Sequence, residues 1–138
     1  MRATVDTNLV VSAFLWGGLL SRVLRAAQAG VVDLFTSRAL LSELAEVLSR
    51  DKFRQRLEAV DSSVDEILDE YTALAELIEV DDIEPRVSRD ADDDAVIACA
   101  VSGDCELIIS GDKDLLVLTE HRGIRIVTAA VFLAELEL

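Results

Sequence analysis

The stretch Ala3-Thr4-Val5-Asp6-Thr7-Asn8 opens the chain with an apolar segment that ends in a carboxylate. Residues 2–6 have the composition of a buried β-strand, and the apolar residues that follow predict a helix over residues 7–15. Burying a carboxylate at the end of such a strand is unfavourable for the free energy of folding, so acidic residues are rare in a core. In open α/β sheets, however, sites lie at the carboxyl ends of the strands. The opening segment therefore favours an α/β fold with Asp6 at the edge of its sheet.

Strands and helices alternate along the rest of the chain. This alternation predicts a single α/β domain over residues 1–138, a three-layer α/β/α sandwich with a mostly parallel central sheet. The further strands are predicted at residues 33–36, 106–109 and 124–127. The further helices are predicted at residues 19–29, 38–50, 63–78, 92–101, 113–118 and 129–136, with a short helix or turn over residues 53–60. Ser37 is the expected N-cap of the helix that runs to Arg50, and Ser63 forms a capping-box pattern with Glu66. Residues 81–90 are interpreted as a loop, and His121 is placed in a turn without a functional role.

Charge is distributed unevenly over the 138 residues. The chain is 51% hydrophobic, which suits one domain with a real core, and its formal net charge is -14. Residues 58–94 hold fifteen acidic and two basic side chains, whereas residues 1–57 hold eight basic and five acidic ones. Attraction of the whole protein to nucleic acid is therefore not expected. The basic residues of segment 50–56 form either a solvated helix surface or a local basic face.

The sequence gives no sign of a membrane protein or a secreted one. The longest uncharged stretch, residues 7–21, has 15 residues, fewer than the roughly 20 that span a bilayer. Arg22 and Arg25 separate this stretch from the small residues that would form a signal-peptide cleavage site. Cys99 and Cys105 form no CxxC pair and are interpreted as small buried side chains. We expect a cytoplasmic protein in a reducing compartment.

Three further carboxylates stand in positions comparable to that of Asp6. Glu43 falls at the edge of the apolar stripe of its predicted helix, and Asp112 follows a strand and the flexible Gly111. Asp94 closes an acidic run in front of an apolar helix, and helix geometry allows either Asp93 or Asp94 to point inward. Simple helix capping remains an alternative for Asp112 and for the acidic run. If the carboxylates converge, a bound divalent cation is the usual reason to tolerate their repulsion.

Other acidic motifs fail at specific positions. The run Asp90-Ala91-Asp92-Asp93-Asp94 begins like a calcium loop, but Ala95 and Val101 stand where the loop needs glycine and glutamate. A phosphatase of the DxD type would need an acid at Asn8. A response-regulator receiver needs an acidic pair at the end of its first strand, and Asp6 has no acidic neighbour.

The ordered set of motifs resembles PIN-domain ribonucleases, specifically kin of the VapC toxins of toxin–antitoxin systems. The resemblance rests on Val5-Asp6-Thr7-Asn8, on Glu43 within residues 37–48, and on Arg89-Asp90-Ala91-Asp92-Asp93-Asp94. It continues through Ser110-Gly111-Asp112-Lys113-Asp114 and ends with residues 123–128. Ala91 stands where many relatives carry proline, and Ser110 stands where threonine is common.

This resemblance implies a metal-dependent endoribonuclease with Asp6, Glu43, Asp94 and Asp112 as its acidic core. It implies one or two Mg²⁺ or Mn²⁺ ions held by Asp6, Asp94 and Asp112, with Glu43 holding a metal water or completing a second site. Possible helpers are Asp93, Asp114, Thr7 and Asn8. Candidate contacts to the RNA backbone are Arg50, Lys52 and Arg54.

The resemblance also implies a small antitoxin protein as partner and a homodimer. A homodimer is consistent with an apolar surface expected at Val10, Val11, Phe14, Leu15 and Trp16. Two alternatives belong to other functional classes. One is a catalytically silent PIN-like module that binds RNA or assembles with partners. The other is a metal-dependent phosphoesterase that acts on DNA or nucleotides.

Overall fold

The computed structural model describes residues 1–80 and 91–136, and it describes residues 91–93 by their backbone alone. Six strands lie in this part of the chain: β1 Arg2–Val5, β2 Asp33–Thr36, β3 Ala75–Leu77, β4 Leu107–Ile109, β5 Glu120–His121 and β6 Ile124–Val127. The α-helices are α1 Thr7–Trp16, α2 Gly18–Gln28, α3 Arg38–Leu48, α4 Arg54–Ala59, α5 Val64–Leu74, α6 Ala91–Ser102, α7 Lys113–Leu116 and α8 Ala129–Leu136. A 3₁₀ turn, Asp51–Phe53, precedes α4.

The strands form one sheet in the order β3-β2-β1-β4-β6-β5. The first five strands in this order run parallel, and only β5 pairs antiparallel, with β6. The mostly parallel sheet predicted from the alternating elements is therefore confirmed. Because the sheet is parallel, its strands all end at one edge, which is called the carboxyl edge below.

Helices cover both faces of this sheet and give it three layers. Ala3 and Val5 of β1 pack in one apolar cluster with residues of α1, α2, α3, α5 and α8. Phe35 of β2 and Ile108 of β4 pack in a second cluster with α6 and α7. Thr4 lies between Ala3 and Val5, so its side chain points to the second face, where it contacts α6. The predicted α/β/α sandwich is confirmed.

Two predicted elements were wrong. The predicted helix 63–78 ends at Leu74, and the missed strand β3 follows directly, paired with β2. Its apolar residues continue the helical spacing, but pairing with the edge of β2 overrides that local preference. His121 lies in strand β5 and not in a turn. The turn is Arg122-Gly123, whose φ angles of 52° and 83° fit the tight connection of a two-residue hairpin. The predicted loop 81–90 lies outside the described residues.

Gly17 alone separates α1 from α2, in the gap between the predicted helices 7–15 and 19–29. Gly17 has φ 69° and ψ -128°, a conformation that a side chain would strain, and the two helix axes differ by 102°. Among the described residues, no single helix is long and apolar enough to cross a membrane. The bent pair passes that length and composition test only when α1 and α2 are taken together, and much of its apolar surface is buried in the core.

The expected apolar surface on α1 is largely wrong. Val10, Val11 and Leu15 are at most 3% exposed, because α1 packs against the sheet and α3 along this side. Phe14 is half-buried and contacts the ring of Tyr71 edge-on. Only Trp16, with 54% of its surface exposed, presents a large apolar side chain to solvent.

Candidate active site at the carboxyl edge

The candidate site lies where the strand order reverses. From β1 the chain proceeds outward to β2 and β3, and it then returns to β4 on the other side of β1. The crevice between β1 and β4 at the carboxyl edge is therefore a topological switch point, where open α/β sheets bind their ligands. Asp6 follows β1 directly, and Ser110 follows β4 directly. Two polar side chains thus meet at this crevice.

Asp6 is held by both the sheet and the helix that follows. Its N–H donates to the carbonyl of Ile109 over 2.9 Å, which extends the pairing of β1 with β4. Its own carbonyl accepts the first hydrogen bonds of α1, from Leu9 and Val10. The residue is 6% exposed. The backbone therefore fixes where the Asp6 carboxylate lies.

Ser110 connects two of the predicted acids. Its hydroxyl donates to Oδ2 of Asp6 over 2.8 Å and accepts the N–H of Asp112 at 3.0 Å. The serine is fully buried. In the sequence, Ser110 stands out only as a departure from the threonine common in the family, and no role is predicted for it. The available signal was its position, since it is polar and directly follows a buried strand, as Asp6 does.

Asp112 is half-buried and caps helix α7. Its Oδ1 accepts the N–H of Asp114 over 2.8 Å, so the capping alternative is confirmed for Asp112. Asp114 is exposed and contributes its backbone to this contact. Capping leaves Asp112 close enough to Asp6 for the two charges to interact. Asp112 therefore has a structural role in the loop and is also placed beside Asp6.

The environment raises the pKa of Asp6 above its ordinary value of 3.8. Burial is the largest cause, because it disfavours the ionised carboxylate. The Ser110 hydrogen bond opposes the rise, and the charge of Asp112 adds to it. The backbone N–H groups of Thr7 and Asn8 also lower the pKa of Asp6, although neither makes a regular N-cap bond. These contacts of Thr7 and Asn8 with Asp6 involve their backbone N–H groups, and the role of the two residues as helpers stays a prediction.

Asp94 lies in the first turn of α6. Helix α6 runs antiparallel to β1, since the Arg2 side chain reaches the Gly103 carbonyl while Thr4 contacts Cys99. From Arg2 to Thr4 the strand advances about 6.6 Å, and from Gly103 to Cys99 the helix advances about 6 Å in the same direction. One more step of this size along each element reaches Asp6 on the strand side and the turn that holds Asp94 on the helix. The half-buried Asp94 is therefore predicted to lie near the carboxyl edge.

The family comparison adds to this geometry. The PIN-domain family model matches residues 2–114. The chain belongs to the PIN-domain family. Members of the PIN-domain superfamily are nucleases, so the chain is a member of a nuclease superfamily. No curated protein matches the chain significantly.

A solved structure similar to this PIN domain is that of VapBC2 from Rickettsia felis, bound to a DNA fragment from their promoter. The TM-score is 0.60 and the sequence identity is 14%, and the match covers 91% of this PIN domain and 97% of the other chain. At that identity the likeness shows the fold alone.

Glu43 lies on α3, between α1, which follows Asp6, and α6, which carries Asp94. It is half-buried on α3, which packs against both α1 and α6. Among the described residues, no three Asp, Glu, His or Cys side chains gather closely enough to form a metal-ligand group. The structure brings two of the four predicted acids, Asp6 and Asp112, close together through Ser110. The convergence of Asp94 and Glu43 on the same place stays a prediction. The side chain of Asp93 lies outside the described residues.

The basic residues proposed as RNA contacts lie away from this crevice. Arg50 pairs with Glu46 at 3.1 Å and Arg54 pairs with Asp51 at 2.8 Å, both on the surface. Their segment contacts the last turn of α1 through Arg56. Ten helix residues separate that turn from Asp6, a distance of about 15 Å.

A divalent cation fits the donors at the crevice. Mg²⁺ in proteins is usually held by one or two carboxylates together with water and substrate phosphate, so it does not need a complete cage of side chains. Asp6 and Asp112 supply two hard oxygen ligands whose mutual repulsion a cation would relieve. Ser110 holds the two residues in one arrangement.

Proposed function

We propose that this PIN domain is a metal-dependent endoribonuclease. The observation that carries the proposal is the pairing of Asp6 and Asp112 through Ser110 at the switch point of the sheet. Membership of a nuclease superfamily supports phosphodiester hydrolysis as the reaction. An acidic crevice repels a phosphodiester, so the proposal includes Mg²⁺ or Mn²⁺, one or two ions, as cofactor.

The roles of the side chains follow from their positions. Asp6 and Asp112 would hold the ion, and Asp94 and Glu43 would complete the acidic core. Bound there, the ion supplies Lewis acidity and positive charge at the scissile phosphate. Ser110 orients the Asp6 carboxylate toward the crevice and keeps the Asp112 loop beside it. The N–H groups of Thr7 and Asn8 favour the ionised form of Asp6, which is the form that binds a cation.

Cleavage of single-stranded RNA by the purified chain tests the proposal. We expect cleavage with Mg²⁺ or Mn²⁺, no cleavage with EDTA, and loss of nearly all cleavage in Asp6→Asn. The matched control is Asp33→Asn, which removes an exposed carboxylate at the start of β2, at the opposite edge of the sheet. Equal cleavage by wild type and Asp6→Asn would indicate a contaminating nuclease. Cleavage of DNA but not RNA would favour the phosphoesterase alternative.

We further propose that the protein is a cytoplasmic toxin paired with a small antitoxin protein. The similar fold in the VapBC2 complex supports a partner of this kind. Co-expression with the product of a small adjacent gene and recovery of a stable complex would test it. The expected result is a complex in which the RNA cleavage of the PIN domain is suppressed.

We also propose a homodimer. The resemblance to VapC toxins supports it, whereas most of the apolar surface expected on α1 does not. Most of the apolar residues on α1 are inside the core, so they do not contribute to an interface. Light scattering at micromolar concentration should give twice the mass of one chain. A monomer in the absence of any antitoxin would contradict this proposal.

A further inference from the structure

Two aromatic and two cationic side chains form one corner of the surface at the far end of α1. The aromatic corner consists of Trp16, Phe53, Lys52 and Arg56. The ring centroids of Trp16 and Phe53 are 5.9 Å apart in an edge-on arrangement. Arg56 lies 5.5 Å from the centre of the Trp16 ring, and Lys52 lies 5.0 Å from that of Phe53. Trp16 remains 54% exposed despite both contacts, so part of its ring surface faces solvent.

The cations of this corner are not neutralised by acids, and Arg56 is also held in place. Nε of Arg56 donates to the carbonyl of Leu15 over 2.6 Å, at the C-terminal end of α1, where positive charge is favourable. In the described part of the chain, neither Lys52 nor Arg56 forms an ion pair, whereas Arg50 and Arg54 each pair with a neighbouring acid. Within residues 50–56, the positive charge that is not paired with an acid thus lies beside the aromatic rings.

We propose that the aromatic corner binds an unpaired base of single-stranded RNA. The base would stack on Trp16, and Lys52 and Arg56 would face the adjoining phosphates. Unpaired bases stack on aromatic side chains, while cations beside them follow the backbone. This inference rests on the proposed ribonuclease function and adds a second contact region for its substrate.

The charge of the protein favours RNA over a protein partner at this corner. The chain as a whole carries a net charge of -14, yet residues 50–56 hold four basic side chains and one acidic. The aromatic rings alone would also suit a protein interface. Unpaired cations beside them match a polyanion better, because a second copy of this acidic chain offers no continuous line of phosphates.

The distance to the crevice sets a length requirement on the substrate. Trp16 lies about 15 Å from Asp6 along α1. A stacked strand advances about 3.4 Å per nucleotide, so a span of about 15 Å takes more than four steps and roughly five nucleotides are needed to reach from the acids to the corner. A dinucleotide is therefore too short to occupy both regions, and a longer single strand can occupy both.

Trp16 is the only tryptophan, so its fluorescence reports on this corner directly. Full-length Asp6→Asn protein, chosen to prevent cleavage, would be titrated in Mg²⁺ with a long single-stranded oligoribonucleotide and with a dinucleotide. We expect saturable quenching of Trp16 emission by the long strand and little by the dinucleotide. Raising the salt concentration should weaken the quenching, because Lys52 and Arg56 displace counterions from phosphate.

Substitution at the corner gives the second readout. Trp16→Ala in the same background should weaken binding of the long strand about tenfold, as measured by anisotropy of labelled RNA. Trp16→Phe keeps a smaller aromatic ring, so its affinity for the long strand should lie between that of Trp16→Ala and that of the parent protein. Val131→Ala, which shortens an exposed apolar side chain on α8, is the matched control and should bind as its parent does. With the active enzyme, Trp16→Ala should reduce the preference in KM for long over short substrates.

The outcomes separate this inference from the proposed function. Metal-dependent cleavage without Trp16 quenching, or equal affinity of Trp16→Ala and its parent, would overturn the corner alone. Quenching without any cleavage that depends on Asp6 would support RNA binding at the corner and reject the nuclease. If Trp16→Ala instead dissociates a dimer and leaves RNA affinity unchanged, the corner is a contact between copies and the inference is overturned.

Discussion

The Ser110 hydroxyl donates to Oδ2 of Asp6 over 2.8 Å, although the two residues are 104 positions apart in the sequence. The bond is buried and joins the ends of the two strands that flank the switch point. Because the same hydroxyl accepts the N–H of Asp112, one small side chain sets the relative position of both acids. The geometry of the acidic pair is therefore imposed by the β4 end of the sheet as much as by β1.

Removal of this hydroxyl should destabilise the protein and impair the site. Ser110→Ala leaves Oδ2 of the buried Asp6 without its donor, and a hydrogen bond to a charged group contributes about 1.5–3 kcal/mol. We expect a loss of this size in the free energy of unfolding, measured by urea denaturation. RNA cleavage should also fall, because Asp6 is no longer oriented.

Two variants control for the loss of a serine as such. Ser110→Thr keeps the hydroxyl and should retain more cleavage than Ser110→Ala, even if its extra methyl group costs some stability in this buried position. Ser49→Ala removes an exposed hydroxyl that donates to a neutral carbonyl and should change stability by less than about 0.5 kcal/mol. If Ser49→Ala and Ser110→Ala lower the free energy of unfolding equally, the Ser110 hydroxyl does not bridge Asp6 and Asp112 in the way described.

The buried carboxylate of Asp6 should make the metal-free protein less stable as the pH rises. The folded pKa of Asp6 lies above the ordinary 3.8, so the folded state holds this proton to higher pH than the unfolded state does. Stability is therefore lost as the pH rises through the folded pKa. Asn cannot ionise, so Asp6→Asn should melt at a higher temperature than wild type near neutral pH. Below pH 3.8 the two proteins should melt alike.

The measurement is the difference in melting temperature between Asp6→Asn and wild type over a pH series in EDTA. Asp33→Asn is again the matched control, since this exposed carboxylate lies far from the crevice. Its difference from wild type should not grow with pH in this way. A difference for Asp6→Asn that is constant over the whole pH range would show that burial of the charge is not the cause.

The two cysteines should react slowly in the folded protein and at different rates. Burial raises the pKa of Cys99 to about 11, and it also raises the pKa of Cys105, so few thiolates exist at neutral pH. Cys99 is fully buried, whereas Cys105 borders a cavity of about 810 Å³ at the amino ends of the strands. Mass spectrometry after timed iodoacetamide treatment should find Cys105 labelled first and both labelled in urea. Faster labelling of Cys99 would contradict the described burial.

The helices and strands that depend mainly on their own local sequence were predicted correctly. Strands 33–36 and 124–127 and helix 129–136 have the predicted bounds, and Ser37 and Ser63 cap their helices as expected. Strand β3 was missed because Leu74, Ala75 and Ile78 continue the helical spacing, and only pairing with β2 makes the chain extended there. Strand β5 has two residues, too few to show a period.

The site was predictable in part for the same reason. Asp6 and Asp112 stand beside strands, and a parallel sheet brings strand ends together whatever the loops do. The Ser110 bond depends on neighbours in space and on the exact end of β4, which local patterns do not determine. The sequence also does not show what covers the apolar side of α1. The pattern of apolar residues is the same whether a sheet or a second copy of the chain packs against that side.

Gly17 should be difficult to replace, because it sets the bend between α1 and α2. Its φ of 69° and ψ of -128° lie in a region that side chains disfavour, although there is room for a methyl group, with Ser21 Oγ nearest at 4.0 Å. Gly17→Ala should therefore cost about 1–3 kcal/mol of unfolding free energy through backbone strain alone. Gly111→Ala is the matched control, since its added carbon would meet only Leu9 at an ordinary 3.5 Å and its φ is not positive. If urea denaturation shows equal losses for the two variants, the bend is not held by the conformation of Gly17.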